Sequence, residues 1–256
     1  MTPDAAVSAS VAAAFAVGLA CERLAPHAAQ RPAWLVNFGV WAVAVALRAL
    51  VFGGAEWRAA SWASASDFGL LRALRAPDAL AVGATVVALD SVSYLWHRAN
   101  HALPLLWRFH RVHHADPAPG VSTSLRFHAG EILLSVPVRL AAIALLGAPL
   151  AGVVAFEAVF GAANALEHGS FDLPRRLERA LGLVLITPAL HRRHHSVLAS
   201  EHDANYGTIF SVWDSLARSR CAGTSDDRFA VGLPEGATGD PRSLAAMLAE
   251  PFRATR

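Results

Sequence analysis

Residues 79–114 read ALAVGATVVALDSVSYLWHRANHALPLLWRFHRVHH. Ala79 to Trp96 is an apolar run with one ionisable residue, Asp90. That length suits a membrane helix, which needs about 20 residues. The run leads straight into His97-x-x-x-His101 and then His110-x-x-His113-His114. Residues four apart on a helix lie one above the other. Each cluster therefore aims several imidazoles one way, with the paired histidines splayed over neighbouring positions. A third cluster, His191-x-x-His194-His195, lies far downstream, with His168 alone between. One histidine is ordinarily a surface residue. Twelve in 256 residues, most of them clustered in this way, predict a site for more than one metal ion. Imidazole suits iron, zinc, copper and nickel. Cys21 and Cys221 have no metal spacing and no disulfide framework, so the donors are nitrogen and oxygen.

The rest of the chain is apolar: 54% of residues are hydrophobic and only 16% charged. This composition predicts an all-α integral membrane helical bundle. Ala5–Ala20 reads as a first span; Asp4 and the lack of Lys or Arg before it argue against a signal peptide. Ala33–Phe52 reads as a second span, ended by Gly53-Gly54, and Ala79–Trp96 as a third. Ile132–Gly147 and Pro149–Leu166 form two short apolar arms around Gly147-Ala148-Pro149, a turn signal. They predict a hairpin that leaves and returns on one side. Residues 55–76, with Trp57, Trp62, Arg58, Arg72 and Arg75, read as an interfacial amphipathic segment. Arginines around the histidines place the clusters in a cytoplasmic cap and the N-terminus outside, although the arginines of 55–76 fit this poorly. The expected divisions are 1–80 (membrane helices and interfacial segment), 81–220 (the histidine-bearing domain) and 221–256 (a polar tail). A net charge of +2 and no basic, aromatic-interleaved stretch give no sign of nucleic-acid binding.

The same residues carry a family resemblance. Asp90-x-x-x-Tyr94-x-Trp96-His97-Arg98-x-x-His101, Pro104-x-Leu106-Trp107-x-x-His110-x-x-His113-His114 and Arg126-x-His128-x-x-Glu131 resemble successive boxes of the fatty acid hydroxylase superfamily, also called the sterol desaturase family. Pro188-x-x-His191-x-x-His194-His195, Asn205-Tyr206-Gly207 and Trp213-Asp214 resemble its last box. The resemblance covers residues 85 to 220. It implies a membrane oxidoreductase that uses two iron ions and O₂ on lipid C–H bonds. Zinc can replace iron in purified samples, since it ranks above iron in affinity. Carried over by position, the implied ligands are His97, His101, His110, His113, His114, His168, His191, His194 and His195. Family members often have a histidine four residues before position 168, where this chain has Asn164. Its amide oxygen or a water can substitute there. Asp90, Glu131, Asp203 and Asp214 are expected to fix imidazole tautomers or pair with arginines, and His128 to be a further ligand or a partner of one. His27 and His202 read as surface residues, and Asn205-Tyr206-Gly207 as a turn packing the cap.

The implied reaction is hydroxylation of a membrane lipid, with desaturation as the alternative, because both begin with the same hydrogen abstraction. A metal-dependent lipid hydrolase and a membrane metal transporter are the competing classes. There is no Gly-rich nucleotide motif, and no haem domain fits in the remaining residues. Electrons are therefore expected from a separate reductase or electron-transfer protein.

Overall fold

The computed structural model describes residues 2–27, 32–221 and 230–253. The helices are α1 (Pro3–Leu24), α2 (Trp34–Phe52), α3 (Ala55–Ala65), α4 (Leu70–Ala73), α5 (Asp78–Ala102), α6 (Pro104–His114), α7 (Ala129–Leu146), α8 (Leu150–Glu167), α9 (Arg175–Leu181), α10 (Pro188–His194), α11 (Ala199–His202), α12 (Val212–Ala217) and α13 (Leu244–Ala249). The described residues contain isolated β-bridges and no strand. Five helices, α1, α2, α5, α7 and α8, are long and apolar enough to cross a membrane, which are the three expected spans and the two arms of the hairpin. The chain is an all-α integral membrane bundle. Its inward faces bury Leu89, Ile143, Val153 and Phe156. Leu35, Leu50, Leu80 and Leu145 are exposed on its outside, as lipid-facing side chains should be.

The helix boundaries follow from local chemistry. Thr2 caps α1 by accepting from the Ala5 N–H, with Pro3 and Asp4 in the first turn. Gly53 and Gly54 adopt positive φ and end α2. Arg58 then donates to the Phe52 carbonyl at 3.0 Å and to the Gly53 carbonyl, satisfying helix-end acceptors. Arg72 donates to the Ser64 carbonyl at 2.7 Å. Two of the three arginines of 55–76 thus serve helix ends and turns. Gly147, at φ +67°, turns α7 into α8, and Gly69 packs against it so closely that a Cβ there would lie 2.4 Å from the Gly147 Cα.

The histidine-bearing ends of the spans meet under one cap. At the C-terminal end of α1, Glu22 accepts from the backbone N–H of Val121 and Ser170, at 2.8 and 3.0 Å. At the start of α2, Asn37 donates to Asp116 at 3.1 Å and accepts from the buried Arg126 guanidinium at 3.0 Å. Arg126 also donates to the carbonyls of Val112 and Pro241. Burying so polar a side chain is tolerable because these donors have acceptors.

One helix boundary moves. The third span does not stop at Trp96: α5 continues to Ala102, so His97 and His101 ride on the spanning helix, and Leu103-Pro104 starts α6. The described part of the polar C-terminal stretch packs against the bundle. Met247 on α13 is fully buried against Val36, Val40 and Val112, and Glu250 pairs with Arg111 at 3.2 Å. Residues 222–229 and 254–256 of that stretch lie outside the described residues.

Candidate metal centre

Helices α5, α6 and α10, with His168 just after α8 and His195 just after α10, bring nine imidazoles together in two groups. His97, His101, His110, His114 and His194 form the first; His113, His168, His191 and His195 form the second. Within each group the potential ligand atoms lie within 4.8 Å of one another. Each H-x-x-H-H cluster divides between the groups. At about 100° per residue, positions i and i+4 lie about 40° apart, and i+3 points about 100° away from i+4. His110 and His114 therefore serve the first group while His113 serves the second. His191 and His195 serve the second, and His194 crosses to the first.

The nitrogens suit a cation better than one another. In the second group, Nε2 of His168 lies 3.0 Å from Nε2 of His113 and 2.9 Å from Nε2 of His191, which is 3.2 Å from Nε2 of His195. One proton bridges only two of these atoms. Nitrogens about 2.1 Å from a common ion stand about 3.0 Å apart at right angles and about 3.4 Å apart at the tetrahedral angle. In the first group, Nε2 of His97, His101 and His194 is buried without a hydrogen-bond partner. The donor set fits two ions held by nitrogen.

The outer nitrogens explain this orientation. Nδ1 of His97 donates to the Tyr206 carbonyl at 2.8 Å, that of His194 to the Ala204 carbonyl at 2.7 Å, and that of His168 to the Asn164 carbonyl at 2.6 Å. His110 Nδ1 meets Glu131 at 2.9 Å, and Asn100 donates to the same carboxylate oxygen at 3.0 Å. His101 Nδ1 lies 3.3 Å from Asp203. Each such contact directs the Nε2 lone pair inward. His113 is further fixed by stacking on Phe127, with ring centroids 4.3 Å apart. Burial, reinforced by neighbouring imidazoles, lowers the affinity of His113, His114, His191, His194 and His195 for protons well below normal. Burial lowers the pKa of His168 to about 4. These groups are neutral near pH 7, the form that binds metal.

Other sequence candidates take different places. Among the described residues, Asp90 meets no imidazole and no arginine. It accepts from the N–H groups of Ile209 and Phe210 and from the Trp213 indole, at 3.2, 3.2 and 2.7 Å. Asp214 also meets no imidazole; it accepts from Tyr206 N and Gly207 N, both at 2.9 Å, and so holds the loop that orients His97. His128 stands apart from both groups. It caps α7 by accepting from Gly130 N, and its Nε2 meets the Leu248 carbonyl at 3.2 Å. Asn164 donates its side-chain amide to the Ser124 carbonyl at 3.1 Å and orients His168 through its backbone. Asn205-Tyr206-Gly207 does pack the cap: Asn205 bonds Leu190 and Cys221. His27 pairs with Asp172 at 2.9 Å.

The surface reading of His202 is overturned. Its ring lies 4.6 Å from that of His114 and 5.0 Å, edge-on, from Trp107. With His101 and Asp203 it forms a third group of potential ligand atoms. Glu167 was not singled out by any motif. It is buried at the end of α8, 3.8 Å from Nδ1 of both His168 and His191.

A family model described as fatty acid hydroxylase matches residues 82–219. The chain belongs to the fatty acid hydroxylase family. The match takes in α5 to α12, hence all nine imidazoles of the two groups. Ornithine lipid hydroxylase of Rhizobium tropici is 34% identical over 140 residues, covering 55% of this chain and 41% of that protein. Alkylglycerol monooxygenase of Caenorhabditis elegans is 30% identical over 147 residues, covering 56% and 28%. Rat cholesterol 25-hydroxylase is 24% identical over 139 residues, covering 54% and 46%. This chain thus spans less than half the length of each. No solved structure matches it.

In this fatty acid hydroxylase family member, a cavity of about 400 Å³ adjoins the two imidazole groups. His97, His110, His113, His168 and His191 line one end, and the walls rise between α5, α7 and α8 past Val92, Val136 and Phe160. With a metal ion held by the first group, His202→Ala is expected to lower turnover roughly 10 to 100-fold, the range for loss of a side chain that supports a ligand, while leaving metal content unchanged. Activity assays with metal analysis check this; an unaltered turnover would return His202 to the surface class.

Proposed function

We propose that this chain is an oxygen-dependent lipid hydroxylase that works with two iron ions on the cytoplasmic side of the cell's inner membrane. The observation that carries the reading is the meeting of two imidazole groups with an apolar cavity between membrane helices. Iron with O₂ supplies an oxidant strong enough to break an unactivated C–H bond. His97, His101, His110, His114 and His194 would hold one ion, and His113, His168, His191 and His195 the other. The carbonyls of Tyr206, Ala204 and Asn164 and the carboxylate of Glu131 keep the imidazoles in the ligating tautomer. The cavity admits a lipid chain from the bilayer and excludes water from the reacting carbon. Relatives named hydroxylase and monooxygenase favour hydroxylation over desaturation. Electrons come from a separate donor protein.

Isotope labelling tests the reaction. Protein loaded with ferrous iron and supplied with reductant, membrane lipid extract and ¹⁸O₂ should place ¹⁸O in a new lipid hydroxyl. Label arriving from H₂¹⁸O without O₂ consumption would make the chain a hydrolase instead.

Sidedness has its own test. After replacing Cys21 and Cys221 by serine, Arg108→Cys and Arg179→Cys should react with an impermeant thiol reagent only from the cytoplasmic side. Asp67→Cys should react only from the other. Opposite labelling of positions 108 and 179 would separate the halves of the proposed centre.

A further inference from the structure

The cavity holds a charged pair that the metal centre does not use. Arg139 on α7 donates Nη1 to Glu157 Oε1 on α8 at 2.7 Å, and both residues line the cavity. The guanidinium carbon sits 5.4 and 5.3 Å from the ring centroids of Phe156 and Phe160. Ionisable residues inside membrane helices are costly and mark ligand pathways. A guanidinium carries five N–H donors, and Nη1→Glu157 is the one hydrogen bond Arg139 makes among the described residues. Glu157 Oε2 likewise has no hydrogen-bond partner there. Neither side chain is sealed off: they retain 23% and 17% exposure. A pair serving only to pin α7 to α8 has no need to present spare donors and acceptors to a cavity.

Their depth is set by the helices. Arg139 lies eight residues beyond Glu131, which touches His110, a rise of about 12 Å. Glu157 lies ten residues before Glu167, which adjoins His168, a rise of about 15 Å. The pair thus stands partway along the cavity, one level above the metal groups. Arg139 and Glu157 together are neutral, so a ligand bringing net charge would upset the balance at a desolvation cost. A neutral group that accepts from Arg139 and donates to Glu157 satisfies both.

We propose that Arg139 and Glu157 are specificity-determining residues, selecting lipids whose chain is interrupted by a neutral donor–acceptor group, a secondary amide or a hydroxyl, roughly 12 Å from the carbon at the metals. The inference rests on the lipid-hydroxylase reading of the cavity. Trp41, Trp57 and Trp96 line the same cavity, so binding is measurable by quenching of tryptophan fluorescence in nanodiscs, without turnover. The probes are N-decyl decanamide, the secondary alcohol of equal chain length, decyl decanoate, and the matching straight-chain alkane. The ester accepts but does not donate; the alkane does neither.

Wild-type protein should bind the amide or the alcohol roughly 10 to 100-fold more tightly than the alkane, the range for hydrogen bonds to charged groups, with the ester between. Comparing amide with alcohol identifies which group the pair prefers. Arg139→Met alone leaves the half-buried Glu157 carboxylate unpaired among membrane helices and endangers folding. The double variant Arg139→Met/Glu157→Leu replaces both charges with apolar groups, a change often neutral for stability. It should bind the alkane at least as tightly as wild type does and hold all four probes within about threefold, because the hydrogen bonds to the charged pair are gone. Equal wild-type affinity for all four probes, or a preference retained by the double variant, would overturn the assignment. A chain that selects the amide yet oxidises no lipid would overturn only the hydroxylase reading. One that oxidises lipid without selecting among the probes would overturn only the role of the pair.

Discussion

With one ion in each imidazole group, as proposed, His195→Ala should cut the metal content of the purified protein from two ions per chain to one and abolish turnover, whereas His194→Ala should retain more metal. The two residues are neighbours in sequence, so a general effect on α10 would treat them alike. Their imidazoles, however, serve different groups. Removing His194 leaves four imidazoles in the first group: His97, His101, His110 and His114. Removing His195 leaves three in the second: His113, His168 and His191. Three nitrogens still bind an ion, but with an added open position and weaker retention through purification. Nε2 of His195 is also 3.2 Å from that of His191, and its ring is 4.7 Å from that of His113, so its loss opens one side of the group. Metal analysis by mass spectrometry with single-turnover assays measures both quantities. Equal metal loss in the two variants would mean that the nine imidazoles form one pool and not two groups.

Much of this arrangement is legible in the sequence because it is local. The apolar runs mark the five long helices, and Gly147-Ala148-Pro149 marks the hairpin. The i, i+4 spacing of His97 with His101, of His110 with His114 and of His191 with His195 already pairs the imidazoles that end in the same group. The division of each H-x-x-H-H cluster is a matter of angle around a helix axis, legible in principle from the spacing. What the sequence does not show is anything contributed by a turn returning from elsewhere. His202 sits on the four-residue helix α11, with no periodic partner, and only the folding of the cap against α6 puts it beside His114 and Trp107. Glu167 is one carboxylate at the end of an apolar helix, and its meaning appears only when His191 arrives from a later segment. His128 shows the converse: a histidine three residues before Glu131 in a matching motif, spent on capping a helix. Asp90 stands out in the sequence as an acid in a span, but its partners lie more than a hundred residues away.

Those partners make Asp90→Ala a strongly destabilising change outside the two imidazole groups. The Asp90 carboxylate is fully buried on α5 and accepts from Ile209 N, Phe210 N and the Trp213 indole. Alanine would strand three donors where water enters poorly. Each buried unsatisfied group costs about 1–3 kcal/mol, so a loss of at least about 3 kcal/mol is expected before relaxation. The damage should also be directional. The segment that Asp90 anchors leads back to Tyr206, whose carbonyl orients His97, and to Ala204, whose carbonyl orients His194. Both imidazoles belong to the first group, and that group should lose its ion first. Asp90→Asn is the informative companion: it keeps the size of the side chain, but one of its two oxygens becomes an amide that donates, so at most some of the three bonds survive. Thermal unfolding followed beside metal content should therefore rank wild type above Asn and Asn above Ala in both readouts. An Asp90→Ala protein of normal stability whose first group keeps its metal would show that the loop is held without this carboxylate.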